Sequence, residues 1–123
     1  MKTNPVGWFE IYVQDMGRAR KFYETVLDTH LETMNMPEIE MCAFPRTDDA
    51  PGASGALVRM PGVPSGGIST LVYFSCDDCA GPEKRVAQNG GRIHKGKESI
   101  GEHGFISLAF DTEGNMFGLH SMK

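Results

Sequence analysis

Two stretches decide how this chain is read: Trp8-Phe9-Glu10-Ile11-Tyr12-Val13-Gln14-Asp15 and Leu71-Val72-Tyr73-Phe74-Ser75-Cys76-Asp77-Asp78. Each is an apolar, strand-like run that ends in Asp and leads into a helix-like run, and each position of the second lies 63 residues after its counterpart in the first. In the first stretch Phe9, Ile11 and Val13 alternate with Trp8, Glu10 and Tyr12, the period of two of a strand whose two faces meet different surroundings. The purely apolar set predicts packing on helices. A tail of short strands, punctuated by Gly and Pro, follows each stretch, so the chain reads strand, helix, several strands, twice over.

Working outward, Ala19, Phe22, Tyr23, Val26 and Leu27 recur at i, i+3, i+4, i+7 and i+8. This is an apolar helical stripe opposite Arg18, Arg20, Lys21 and Glu24, with Asp15 placed to cap the helix. Strands are predicted near residues 30–35, 39–44 and 55–60, with Pro37, Pro45, Pro51 and Gly52 breaking the chain between them. The second unit predicts a strand over 69–76 and a helix over 80–89, which admits Pro82 only in its first turn. That helix ends at Gly90-Gly91 in left-handed geometry. Strands near 92–94, 105–110 and 116–120 follow, the last two joined by a turn over Asp111-Thr112-Glu113-Gly114-Asn115. Residues 95–105, rich in glycine and charge, read as a mobile loop. The fold class is α+β, a single domain of two modules, about 1–62 and 63–123.

The chain has 123 residues, enough for one ordinary domain or two very small halves sharing a core. Acidic residues outnumber basic ones by 16 to 12 and no basic run makes an electropositive stripe, which excludes nucleic acid as an expected partner. No stretch approaches the roughly 20 apolar residues that cross a bilayer, so no membrane role is expected. The three cysteines, Cys42, Cys76 and Cys79, do not form a disulfide framework, and the N-terminus lacks the apolar segment of a secretory leader. A cytoplasmic location is the expectation.

The segments Trp8-Phe9-Glu10-Ile11-Tyr12-Val13-Gln14-Asp15-Met16-Gly17-Arg18-Ala19-Arg20-Lys21-Phe22-Tyr23 and Asp111-Thr112-Glu113-Gly114-Asn115-Met116-Phe117-Gly118-Leu119-His120 carry a family resemblance. With the repeat offset, the chain resembles the glyoxalase, bleomycin-resistance and extradiol-dioxygenase superfamily, the vicinal oxygen chelate proteins, over nearly its whole length. The resemblance implies two βαβββ modules whose eight strands curve into a half-barrel with the site on the concave face, and a homodimer. It also implies metal ligands on the first and fourth strands of each module, usually His on the former and Glu on the latter. Carried over, these positions fall on Trp8, Leu71 and Gly118, while residues 55–60 contain no acid or His. Trp, Leu and Gly offer none of the carboxylate, imidazole or thiolate donors a divalent ion takes. No metal residue and no cofactor is therefore assigned, and a divalent metal stays open only through a displaced site.

Side chains two apart on a strand share a face, so the site face carries Trp8, Glu10 and Tyr12; Leu71, Tyr73 and Ser75; and Met116, Gly118 and His120. Glu10 and His120 each lie two residues beyond a vacated ligand position. They read as an acid/base pair, as ligand contacts without chemistry, or as a Glu hydrogen-bonded to a neighbouring Tyr and a solvated His. Trp8, Tyr12 and Tyr73 offer flat amphipathic surface for an aromatic or apolar small molecule, with room above Gly118, or simply close the interior. Glu10 favours a ligand, because a carboxylate in a filled apolar core is costly without a partner. The spacing Cys76-Asp77-Asp78-Cys79 at a strand-to-helix junction allows redox or metal chemistry, but its two acids oppose thiolate formation and a structural role is the better reading. His94 and His103 go with the loop stretch, where His103 with Glu102 is a candidate contact at the pocket mouth; His30 has no motif around it. Three functions follow: a small-molecule-binding protein using Trp8, Glu10, Tyr12, Leu71, Tyr73, Gly118 and His120; a glyoxalase-like lyase or isomerase with a displaced metal or catalytic Glu10 and His120; or a drug-sequestering resistance protein.

Overall fold

The computed structural model describes residues 4–66 and 69–123. Its elements run β1 (Val6–Tyr12), α1 (Met16–Val26), β2 (Glu32–Met36), β3 (Ile39–Ala43), β4 (Ser54–Arg59), β5 (Thr70–Ser75), α2 (Ala80–Gln88), β6 (Arg92–Ser99), a 3₁₀ turn (Gly101–His103), β7 (Phe105–Phe110) and β8 (Met116–Ser121). This is βαβββ twice over, as the repeat predicts. The boundary read near residue 62 falls in the connection between β4 and β5. Two compact units emerge, residues 8–70 and residues 71–123 together with 4–7. The amide of Ser75 donates to the Pro5 carbonyl at 2.9 Å, which ties the start of the chain to the second unit.

In the first unit the strands lie in the order β2-β3-β4-β1. β1 pairs parallel with β4, and β3 pairs antiparallel with both β2 and β4. One face of this sheet buries Val13, Leu31, Cys42 and Leu57, with Ile11, Met16, Ala19, Tyr23 and Phe44 packed against them. The apolar set of β1 therefore does meet the helix. Asp15 caps α1 by accepting a hydrogen bond from the Arg18 amide at 3.0 Å, which satisfies one of the donors a helix start leaves open. The exit from α1 is held by Glu24. Its Oε2 accepts from Arg20 Nε at 3.1 Å and from the Leu31 amide at 2.8 Å, while Arg20 also donates to the Leu31 carbonyl and to Thr33 Oγ1.

The stripe on α1 is only half used. Ala19 and Tyr23 pack on the sheet, but Phe22, Val26 and Leu27 are more than half exposed. Helical periodicity shows which residues share a side; how wide a strip an 11-residue helix lays on its sheet is a tertiary matter.

The second unit repeats the scheme in the order β5-β8-β7-β6, with β5 and β8 parallel and the other pairs antiparallel. Residues 95–105 are not the loop the composition predicts. β6 runs to Ser99 and the 3₁₀ turn follows, so the strand over 92–94 is too short as read from sequence. β6 is an edge strand, and Lys95, Lys97 and Glu98 are the exposed charges that protect such an edge from further pairing. Lys97 ties it to α2, donating through Nζ to Asp78 Oδ1 at 2.8 Å and through its amide to Glu83 Oε2 at 3.0 Å. Among the described residues, no helix is long and apolar enough to cross a membrane.

Two substitutions probe the first unit. Leu57 is fully buried, so Leu57→Ala is expected to cost about 2 to 5 kcal/mol. A Cβ on Gly55 would come 2.3 Å from the Phe9 carbonyl oxygen and 2.7 Å from its ring; because backbone cannot step aside, Gly55→Ala is expected to cost at least about 1 to 3 kcal/mol. Urea unfolding followed by circular dichroism reads both, and wild-type midpoints would refute this account of the packing.

Candidate functional site

The second face of the first-unit sheet carries Trp8, Glu10 and Tyr12 from β1. Trp8 and Tyr12, with Met34 and Ile39, pack against a second buried cluster of Met41, Ala56 and Val58. Sequence reading found the β1 members by alternation and missed Met34, Ile39, Met41, Ala56 and Val58. The signal was the same period of two in the later strands, once β3 and β4 are set beside β1 by their register.

Glu10 is the polar centre of this face and is only 9% exposed. Tyr12 Oη donates to its Oε1 at 2.8 Å, and Trp8 Nε1 donates to its Oε2 at 3.2 Å. Two aromatic side chains on either side of it along one strand thus turn their polar tips inward and fix both carboxyl oxygens. Burial pushes the Glu10 carboxyl above its ordinary value of 4.5, and the two hydrogen bonds, Tyr12 first, pull part of the way back. A desolvated carboxyl without a cationic partner behaves in this way. The Tyr neighbour expected from sequence is present, and Trp8 is added to it.

In the second unit Leu71 and Tyr73 are buried on β5, each 7% exposed. Tyr73 stands in register with Gly118 of β8. A Cβ on Gly118 would lie 2.3 Å from Tyr73 Cδ2 and 2.5 Å from Cε2, so the room expected above this glycine is filled by the tyrosine ring. Ser75 pairs in register with His120, and Met116 begins β8 opposite Phe110. Alternation along β7 places Ile106, Leu108 and Phe110 beside Gly118 and His120, and sequence reading missed these too.

His120 is held from an unexpected quarter. Its Nε2 lies 2.6 Å from the His103 carbonyl oxygen in the 3₁₀ turn. A carbonyl only accepts, so Nε2 is the donor in this contact. Gly104 makes the turn possible: its φ is +99° and a Cβ there would meet the Ser121 carbonyl oxygen at 2.3 Å. The His103 ring itself is exposed, 3.7 Å from Glu102. His30 contacts Glu24, and His94 stacks edge-on against Phe110. Glu10 and His120 belong to different compact units.

All three cysteines are free. Cys79 is fully buried, its amide donating to Ser121 Oγ at 3.1 Å. Burial first, then Cys79, Asp78 and Asp77, push the Cys76 thiol up to about 11, which keeps it protonated and unreactive near neutral pH. Geometry thus sides with the structural reading of this pair.

The family's metal positions fit no divalent ion through their own side chains, since Trp8, Leu71 and Gly118 carry no suitable donor. Among the described residues no group of three or more His, Cys, Asp or Glu is placed to hold a metal. A shallow open depression of about 310 Å³ lies by the start of α1, lined among others by Tyr12, Asp15, Arg18 and Tyr23. Neither Trp8 nor Glu10 reaches it.

No curated protein matches the sequence. Among solved structures, methylmalonyl-CoA epimerase from Mycobacterium tuberculosis superposes with a TM-score of 0.71 at 15% identity, covering 98% of this chain and 89% of that one. The Streptomyces coelicolor methylmalonyl-CoA epimerase in complex with 2-nitronate-propionyl-CoA gives 0.69 at 16% identity, covering 98% of each chain. A hypothetical protein from Bacillus halodurans C-125 gives 0.74 at 12% identity, covering 99% and 96%. At such identities the likeness is one of fold. A family profile matches residues 6–119, and the chain belongs to the Glyoxalase/Bleomycin resistance protein/Dioxygenase superfamily.

Proposed function

We propose that this protein binds a small, largely apolar or aromatic organic molecule on the β1 face of its first unit, with Glu10 as the polar anchor. One observation carries the reading: a carboxyl buried among apolar groups, both oxygens fixed in direction by Trp8 and Tyr12. Apolar surroundings with a few fixed polar groups are how small-molecule sites obtain affinity and orientation together. Each Glu10 oxygen accepts one of these bonds and keeps capacity for another, because a carboxylate offers about four lone-pair sites. A ligand N–H or O–H is the complement. The three free cysteines suit a reducing, cytoplasmic setting.

A second reading, proton transfer at Glu10, is favoured by the raised carboxyl pKa. A carboxyl moved toward neutral pH can take and return a proton in the same cycle, the work of an isomerase or epimerase such as the methylmalonyl-CoA epimerases that share the fold. The positions where the family places metal ligands hold Trp8, Leu71 and Gly118, which carry no donor for a divalent ion.

Stability should depend on pH through Glu10. Its folded value lies above the unfolded one, so between the two the native state holds more protons and stability falls as pH rises, then levels off. Glu10→Gln should remove that dependence and leave the protein at least as stable at pH 8. Trp8 is the only tryptophan in the chain, so its emission should titrate with a midpoint above 4.5. A flat profile in wild type, or an unchanged one in Glu10→Gln, would show that the carboxyl is ordinary.

Ligand binding is read by thermal shift across aromatic amides, phenols, cationic aromatic drugs and acyl thioesters. At least one class should raise the wild-type melting temperature and quench Trp8, and both effects should be lost in Trp8→Leu. Silence from every class refutes the binding reading. For a compound that binds, deuterium uptake from heavy water that vanishes in Glu10→Gln while binding persists supports proton transfer, and no uptake in wild type sinks it. Added nickel, zinc or manganese should leave the melting temperature unchanged; a rise would overturn the account of the vacated metal positions.

A further inference from the structure

Strand β6 sets a cation over an aromatic ring on each face of its sheet. On the helix side Lys97 Nζ lies 4.7 Å from the centre of the Phe105 ring and also donates to Asp78 Oδ1 at 2.8 Å. That cation has both a ring and an acid. On the other side the Arg92 guanidinium carbon lies 4.2 Å from the centre of the Phe110 ring, and His94 contacts the same ring with their centres 5.5 Å and their planes 84° apart. Here the acid is missing. Among the described residues, the side chains of Arg92 and His94 form no hydrogen bond and no ion pair. The acids that follow Phe110 in the chain are engaged in their own turn: Asp111 accepts from the Glu113 and Asn115 amides and from Asn115 Nδ2, and Glu113 accepts from the Thr112 hydroxyl.

A β-bulge adds to the charge on this face. Ile93 pairs with Ala109 but Lys95 pairs with Leu108, so His94 is the extra residue, and bulges re-aim side chains in this way. Lys95 thereby joins Arg92 on the face of Leu108 and Phe110, although strict alternation would send it to the opposite one. Glu98, opposite Ile106, takes Lys95 Nζ at 2.7 Å. On this strand, one carboxylate thus serves a face that gathers Arg92, His94 and Lys95.

We propose that Arg92 and His94 form an oxyanion subsite on this face of the second unit, taking the phosphate or carboxylate group of a small molecule. A guanidinium laid over a ring uses its flat side there. Its edge keeps the N–H fork that grips two oxygens of a carboxylate or phosphate, and the stacking holds that fork ready. His94 adds a ring N–H as a further donor. All of these residues belong to the second unit, so the subsite stands independently of the reading of Glu10. Arg92 and His94 are exposed, so binding of a free anion is weak and sensitive to salt.

Nuclear magnetic resonance of the whole chain tests this, with phenyl phosphate and benzoate titrated at constant ionic strength and sodium chloride as the baseline. The Arg92 Nε–H and His94 ring signals should shift saturably with at least one of the two and not with chloride. The two probes share a ring, so the one that saturates lower identifies the anionic group. Arg92→Lys keeps the charge and loses the fork, and should weaken binding about tenfold; His94→Ala should weaken it about threefold or more. Lys21→Gln removes a charge from the first unit and should leave the affinity unchanged. Shifts that never saturate, Arg92→Lys binding as wild type does, or Lys21→Gln weakening binding as much as Arg92→Lys would overturn the proposal.

Discussion

Each module is closed by one interaction, the parallel pairing of its first strand with its fourth. Parallel neighbours cannot be joined by a hairpin, so the helix and two strands between them are the excursion that makes the pairing possible, and the order of each sheet follows. In both modules the pairing sets an aromatic residue directly opposite a glycine: Phe9 faces Gly55 in the first and Tyr73 faces Gly118 in the second. A Cβ on either glycine would collide with that aromatic residue. The two rings occupy opposite faces, however. Phe9 lies on the helix side, 5.7 Å from Phe44, whereas Tyr73 lies on the face that alternation assigns to the site.

That difference gives the first module its polar centre. Glu10 and Tyr73 are equivalent across the repeat, and each stands opposite a small residue, Ala56 for Glu10 and Gly118 for Tyr73. In the second module the slot is filled by a ring. In the first it holds a carboxyl, with aromatic donors on both sides along the strand. A fold that accepts an aromatic ring there has no structural need of a buried acid, so the Glu at this position is an expense that packing alone does not explain.

The parts legible in the sequence are those set by local pattern. Residues 8–15 show a strand with two unlike faces, Asp15 announces the start of α1, and Gly90-Gly91 marks the end of α2. The parts that were not legible are set by distant partners. Lys95, Gly96, Lys97 and Glu98 have the composition of a loop because an edge strand shows its side chains to water. Their strand geometry comes from β7, and the tie from Lys97 to Asp78 joins residues 19 apart. Phe22 and Val26 belong to the stripe by periodicity, yet only the sheet determines which part of the stripe is covered. Trp8, Glu10 and Tyr12 were recognisable as face-sharing residues, but that both rings donate to the same carboxyl is a matter of rotamers. His120 is held by a carbonyl of residue 103, and the faint signal was the pair Gly101 and Gly104, both of positive φ, which let the chain turn back tightly enough to bring that carbonyl close.

Two glutamates of the first unit show how surroundings divide structural from functional work. Glu24 accepts the Leu31 amide and the Arg20 guanidinium and touches His30, all through one oxygen. The Leu31 amide first, then Arg20, draws its carboxyl below the ordinary value. It is a negative charge placed where the chain supplies the positive one, and its role ends with holding the α1 exit. Glu10 has neutral donors, forms no ion pair among the described residues and meets less water, so its carboxyl moves the opposite way. Its ionised form is held in place without being neutralised. A carboxylate in that condition gains from whatever next brings it a proton or a donor group, and the two side chains that donate to it, Trp8 and Tyr12, have each already given the one proton they have.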